Sequence, residues 1–123
     1  MPRELQSDGE NIIFKDYLNR NVTIEHEDYL NLMMSEKRRS IRPALEDCLT
    51  DHTEVWWTIE NIEGKDYTFY KYIKLYKNLA FIAYVLLDEL MDFHLNNFYG
   101  FDENESDEAD KERCGQLILS KLL

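Results

Sequence analysis

The stretch that decides the predicted fold is residues 42–77, RPALEDCLTDHTEVWWTIENIEGKDYTFYKYIKLYK. Pro43 stands near the start of a short amphipathic helix whose apolar residues recur at helical spacing. The composition then changes to β-branched and aromatic residues over Thr53–Ile59, which favours a strand. A turn at residues 63–66 leads into a second predicted strand, Tyr67–Tyr76, in which tyrosine and lysine alternate.

The flanking segments extend this pattern in both directions. Before the opening stretch, the spacing predicts a short helix, a short extended segment and an amphipathic helix: Asn11–Arg20, Asn21–Ile24 and His26–Arg38. After it, two further strands are predicted over Leu79–Leu87 and Met91–Phe101. The remaining segments are an acidic loop over residues 102–112 and a last strand or short helix over Cys114–Leu123.

Helices that precede a run of sequential strands indicate the α+β class. We therefore predict N-terminal helices packed on a four-stranded antiparallel β-meander. Residues 1–10 are expected to form a flexible N-terminus, and residues 11–123 a single α+β domain.

The charge balance bears on the kind of partner. The chain has 123 residues, 25 acidic against 14 basic, and a formal net charge of −11. Binding to nucleic acid depends largely on lysine and arginine, so this balance is unfavourable for it. The charge is uneven, however, because residues 102–112 read DENESDEADKE whereas residues 37–42 read KRRSIR.

Several classes of site are not expected. The apolar runs are too short to span a bilayer, and the N-terminal residues do not resemble a signal peptide. Cys48 and Cys114 lack metal-ligand spacing, which predicts reduced thiols in a cytoplasmic protein, with a disulfide between them as the alternative. No metal and no cofactor are expected. We also find no phosphate-binding loop and no nucleophile-elbow or zinc-protease motif.

A small set of residues has the chemistry for phosphodiester cleavage. His26 is a candidate general acid or base, although a histidine flanked by two acids at a helix start is more often a surface residue. Lys74 is predicted on the open, aromatic face of its strand, because its spacing from Lys71 is odd. The other candidates are substrate-binding residues and a late cation: Arg39, Arg42, Tyr70, Tyr72, Asn97 and Arg113.

The order of several short motifs resembles a known family. An early histidine follows NVTI, and RRSIRPALEDCLTDHTEVWW, YKYIK, NNFYG and ERCGQLILSK come next in that order. The set resembles the phage-encoded nuclease-like domains of the Barnase, EndoU, anticodon-nuclease colicin and RelE group, over residues 20–121. Within the resemblance, Lys74 matches the family lysine, and Arg113 and Gly115 match the terminal arginine and glycine. Asn97 stands where the family has a hydroxyl residue.

The resemblance implies a metal-independent ribonuclease-like domain, as in a toxin or a phage or mobile-element effector. RNA would be the substrate, and its 2'-hydroxyl would be the nucleophile. His26 would move the proton, while Lys74 and Arg113 would stabilise the charge on the phosphate. Arg39 and Arg42 would hold phosphate, Tyr70 or Tyr72 would stack a base, and Asn97 would contact the substrate.

Two other interpretations stay open. The acidic charge and the residue 102–112 loop favour a non-catalytic module that binds a basic protein, such as an inhibitor or immunity-type partner. A structural phage component that keeps the nuclease fold without its activity is equally compatible with the motifs. Trp56, Trp57 and the tyrosine face also fit a homodimer interface, and no membrane partner is expected.

Overall fold

The computed structural model describes residues 11–120, which contain seven strands and four α-helices. The strands are β1 (Asn11–Lys15), β2 (Asn21–Glu25), β3 (Glu54–Ile62), β4 (Lys65–Tyr76), β5 (Leu79–Leu87), β6 (Phe93–Asp102) and β7 (Gln116–Ser120). The helices are α1 (His26–Leu32), α2 (Glu36–Ile41), α3 (Ala44–Thr50) and α4 (Ser106–Glu112), the last preceded by a 3-10 turn at Glu103–Glu105.

All seven strands belong to one mixed sheet with the order β1-β2-β6-β5-β4-β3-β7. Neighbouring strands are antiparallel except for β2 and β6, which run parallel over two residue pairs. The prediction of helices packed on a four-stranded antiparallel meander was therefore wrong. It missed β1 altogether and did not foresee that β2 and β7 extend the sheet at its two ends, because pairing between distant segments leaves no local signal.

The predicted helix over Asn11–Arg20 was also wrong. Its first half is β1, which pairs antiparallel with β2. Phe14 is buried while Ile13 is 56 % exposed, so the segment has the two-residue period of a half-buried strand. The chain then turns, and the Asp16 carboxylate accepts hydrogen bonds from the backbone N–H groups of Leu18 and Arg20.

Two other segments differ from expectation in the kind of element they form. The helix predicted over His26–Arg38 is divided between α1 and α2, and Ser35 caps the second by accepting from the Arg38 N–H. Residues 102–112, predicted as a loop, form the 3-10 turn and α4. Asp102 and Glu105 form a capping box at the start of that turn, and Ala109 is buried, so local capping and one apolar contact stabilise a segment of high charge.

The two faces of the sheet have different surroundings. On what we call the helix face, Leu45, Cys48 and Leu49 of α3 pack into a core with Tyr72, Phe81, Ala83 and Phe98 of the central strands. The opposite side, which we call the groove face, carries the residues of odd number in β4, including Lys71. The prediction that Lys74 lies on the open face was wrong, since its side chain contacts Asp47 and Asp51 on the α3 side.

Candidate functional site

A row of four side chains crosses the middle of the groove face. Trp56 of β3 is the register partner of Lys71 of β4, Lys71 pairs with Tyr84 of β5, and Tyr84 pairs with Asn97 of β6. Directly paired residues project to the same face of a sheet and lie next to one another. An indole, an ammonium, a phenol and an amide are thus aligned across four strands.

This row adjoins a groove of about 470 Å³. That volume lies within the range of pockets that bind small molecules. Its lining consists of four aromatic residues, two amides, two carboxylates and one aliphatic residue: Phe69, Tyr84, Tyr99, Phe101, Asn96, Asn97, Glu60, Glu112 and Ile62. Within that lining, which lies wholly in the part of the chain described, no residue is a lysine or arginine.

Lys71 lies at the edge of this lining with only 3 % of its residue surface exposed. Its ammonium donates a hydrogen bond to the Glu112 carbonyl at 3.1 Å. It also lies 3.5 Å from a Glu112 carboxylate oxygen and 3.8 Å from one of Glu60. A buried ammonium needs such partners, because desolvation would otherwise disfavour its charge.

Tyr84 also contacts Glu112 in the groove. Its hydroxyl donates to the Glu112 carboxylate at 2.9 Å. Burial, followed by this hydrogen bond, raises the pKa of Tyr84 well above its ordinary value. The phenol therefore remains a protonated donor at neutral pH. The groove then has two carboxylates, Glu60 and Glu112, against the single ammonium of Lys71.

Lys74 and Arg113, two of the predicted catalytic cations, lie on opposite faces of the sheet. The Lys74 ammonium lies 2.8 Å from the Asp51 carboxylate on the helix face, and this hydrogen bond is the main cause of its raised pKa. The Arg113 guanidinium binds Glu54, which shares the groove face with Lys71. The structure does not bring Lys74 and Arg113 to one phosphate.

The other predicted polar residues are similarly dispersed. His26 is exposed at the start of α1 and is not among the residues that line the groove. Arg42 forms a two-pronged contact with the Glu46 carboxylate at 2.7 and 3.2 Å, and Arg39 donates to the Met33 carbonyl at 2.7 Å.

The two predicted base-stacking tyrosines face the helices. Tyr72 is fully buried, and its hydroxyl donates to Asp16 at 3.0 Å. Tyr70 is half-buried, with its ring centroid 5.4 Å from that of Phe93. Neither ring is presented to solvent as a stacking platform. Asn97 does line the groove, where its amide donates to the Tyr99 hydroxyl at 3.0 Å.

Sequence reasoning missed most of the residues that form the groove. The prediction that Lys74 lies on the open face of β4 puts Lys71 on the opposite face, which the helices were expected to cover. Glu112 is the last residue of α4, in a segment that the sequence predicts as a loop. The two-residue period of β4 did separate Lys71 from Lys74, but it carried no information on which face the helices would cover.

Within residues 11–120, no cluster of three or more histidine, cysteine or acidic side chains is arranged to hold a metal ion. No helix in that range has the length and apolar character to cross a membrane.

Comparisons with known proteins give no family for this chain. No protein-family model, no curated protein and no solved structure matches the chain.

Proposed function

We propose that this protein is an acidic binding module that takes a lysine or arginine side chain of a basic protein partner into the groove. The observation that carries the proposal is the lining itself, in which Glu60 and Glu112 accompany the rings of Tyr84 and Tyr99. Aromatic faces attract cations, and a nearby carboxylate adds a charge-assisted hydrogen bond.

The distribution of charge supports a cationic guest over a phosphate. The net charge of −11 steers basic proteins towards this chain and repels nucleic acid. Arg42, Lys74 and Arg113 already form ion pairs with carboxylates. A phosphate group would have to displace those partners to gain one of these three cations, whereas the two groove carboxylates, Glu60 and Glu112, share the single ammonium of Lys71.

The experiment is titration calorimetry with a hexa-arginine peptide at low salt. Glu60→Gln removes a half-exposed groove carboxylate and is expected to weaken binding roughly fivefold to tenfold, or about 1 kcal/mol. Glu63→Gln is the matched control, because it removes the same charge from the neighbouring hairpin turn outside the groove lining. Equal weakening by both variants would show attraction to net charge alone and would remove the groove from the proposal.

A second candidate is the metal-independent ribonuclease implied by the sequence resemblance. One observation favours it, namely that Glu112, Lys71 and Tyr84 are in mutual contact beside Asn97. In this version Glu112 would accept the proton of the RNA 2'-hydroxyl, and Lys71 would stabilise the charge that develops on the phosphate. The aromatic rings of the groove would stack a base.

A cleavage assay on total RNA in EDTA, with end-group analysis, tests this candidate. It is supported by products that end in a cyclic phosphate and that disappear in Lys71→Met but persist in Lys74→Ala. Loss of cleavage in His26→Ala and Lys74→Ala, with Lys71→Met active, would instead favour the residues matched by the resemblance. Intact RNA with the wild-type protein leaves the binding module as the function to pursue.

A further inference from the structure

A second polar cluster lies on the groove face, outside the groove lining. Thr23 of β2 is in register with His94 of β6, and His94 is in register with Leu86 of β5. On the other side, Thr23 pairs with Ile13 of the edge strand β1. A hydroxyl and an imidazole are therefore adjacent on one face and are flanked by two aliphatic side chains.

Hydrogen bonds connect the side chains of Asp88, His94 and Thr23, with His94 in the middle. The His94 Nε2 atom lies 2.7 Å from the Asp88 carboxylate, and the His94 Nδ1 atom lies 3.2 Å from the Thr23 hydroxyl. An ionised carboxylate only accepts hydrogen bonds, so Nε2 must carry a proton. In the neutral imidazole, Nδ1 is then the nearer of two acceptors for the Thr23 hydroxyl proton, the other being the Phe93 carbonyl oxygen at 3.5 Å.

Asp88 is itself held in place. One of its carboxylate oxygens accepts from the backbone N–H groups of Leu90 and Asp92, both at 2.9 Å. The other oxygen is left for His94. The turn between β5 and β6 thus orients the carboxylate, and the carboxylate fixes the orientation and tautomer of the imidazole.

We propose that Thr23, His94 and Asp88 form an acyl-transfer site in which Thr23 is the nucleophile and His94 the base. A hydroxyl in contact with a base, which a third group orients, is the arrangement that activates an oxygen nucleophile. The His94 side chain is 42 % exposed, so the site is open to a substrate from solvent.

The proposed step balances within the cluster. The Thr23 oxygen attacks the carbonyl carbon of an activated ester while Nδ1 of His94 takes the hydroxyl proton. The bond from that carbon to the leaving oxygen breaks, and the leaving group departs with its electron pair and receives the proton from the imidazolium. The products are an acyl ester on Thr23 and a free alcohol or phenol.

The flanking residues indicate the class of substrate. Ile13 is 56 % exposed beside Thr23, and Leu86 lies half-buried beside His94. These aliphatic side chains provide a surface for an apolar acyl chain. The expected substrates are therefore uncharged activated esters with a short aliphatic acyl group.

The test is incubation of the full chain with p-nitrophenyl butyrate, followed by peptide mapping by mass spectrometry. The expected result is one butyryl group on Thr23 that hydroxylamine removes, which distinguishes an ester from an amide on a lysine. His94→Gln is expected to form the ester roughly 100-fold more slowly, because glutamine cannot take the proton.

Two variants of Thr23 complete the design. Thr23→Ser keeps the hydroxyl and is expected to be acylated at the serine, whereas Thr23→Val is expected to show no ester at this position. Absence of an ester on Thr23 in the wild-type protein overturns the proposal whatever the variants do. An ester that forms at the wild-type rate in His94→Gln overturns it as well, because the base is then unnecessary.

Discussion

Arg113, which follows α4, forms a bidentate ion pair with the buried carboxylate of Glu54 at the start of β3. Its Nε atom lies 2.8 Å from one carboxylate oxygen and an Nη atom lies 2.5 Å from the other. The Glu54 side chain is only 3 % exposed, whereas that of Arg113 is 32 % exposed. Trp56 also donates its indole N–H to Glu54 at 3.0 Å, so this carboxylate joins the end of α4 to the sheet.

Substitution of Arg113 should destabilise the protein more than substitution of Glu54. Arg113→Met leaves a buried carboxylate without its cation and should lower the free energy of unfolding by about 3–5 kcal/mol. Glu54→Gln leaves a guanidinium that water reaches, so the expected cost is about 1–2 kcal/mol. Urea unfolding measures both. The double variant should cost less than the sum, and equal costs for the single variants would contradict the asymmetry of burial.

Gly115 should tolerate no side chain. Its φ is +97°, and a Cβ there would overlap the carbonyl oxygen of Trp57. Gly115→Ala should therefore lower the free energy of unfolding by about 3 kcal/mol or more, from strain and backbone overlap together. Gly64 is a matched control, since its φ is +85° but nothing lies within 4 Å of the added Cβ.

Gly64→Ala should accordingly cost only about 1–2 kcal/mol, the penalty of the left-handed conformation. Thermal unfolding of the two variants gives the comparison. A Gly115→Ala protein as stable as Gly64→Ala would mean that β7 does not approach β3 as closely as the structure shows.

The Asp88–His94 hydrogen bond predicts a particular pH dependence. That bond, together with the N–H groups of Asp92 and Leu90, lowers the pKa of Asp88 below its ordinary value of 3.8. A carboxyl with a lowered pKa stabilises the fold above its unfolded value, and this contribution is lost as the pH falls through the folded pKa.

Asp88→Asn keeps an oxygen for the backbone N–H groups but loses the charge. We expect it to unfold at lower urea concentration than the wild type at about pH 6, and at the same concentration once the pH has fallen below the lowered pKa of Asp88. Asp92→Asn removes the same charge from the same turn and leaves the Asp88–His94 hydrogen bond in place, so it is the control for loss of charge alone. A difference for Asp88→Asn that persists in acid would refute the assignment to the carboxylate.

The two thiols should react at very different rates. Cys48 is fully buried, its thiol donates to the Tyr72 carbonyl, and burial raises its pKa far above the ordinary value. Cys114 is exposed, with its sulfur 3.6 Å from the Lys71 ammonium. A maleimide should therefore label Cys114 in the native protein and both thiols in urea. Rapid native labelling of Cys48 would show that α3 opens readily from the sheet.

Local pattern was enough to locate several strands. The strand predicted over Leu79–Leu87 is β5, and the predicted Tyr67–Tyr76 lies within β4. The extended Asn21–Ile24 lies within β2. These segments combine β-branched and aromatic residues with clear turn residues at their ends, which is information contained within a few neighbouring positions.

Hydrophobic periodicity could not assign the faces of the sheet. In β4 the period separated Tyr70, Tyr72 and Lys74 from Phe69, Lys71 and Ile73, and both sets contain apolar rings and a lysine. The helices cover the first set, so Lys71 rather than Lys74 lies at the groove. A strand that is largely buried on both sides carries no alternation of polarity from which the covered side can be inferred.

The amino-acid sequence alone determined the charge of −11, the separation of the two cysteines and the positions of the central strands. Tertiary structure alone decided which side chains meet: Arg113 with Glu54, Glu112 with Lys71 and Tyr84, and His94 with Thr23 and Asp88. The physical reason is that charge and strand propensity are properties of residues and near neighbours, whereas these contacts depend on strand order and register. Burial of apolar surface across the whole sheet sets both of these.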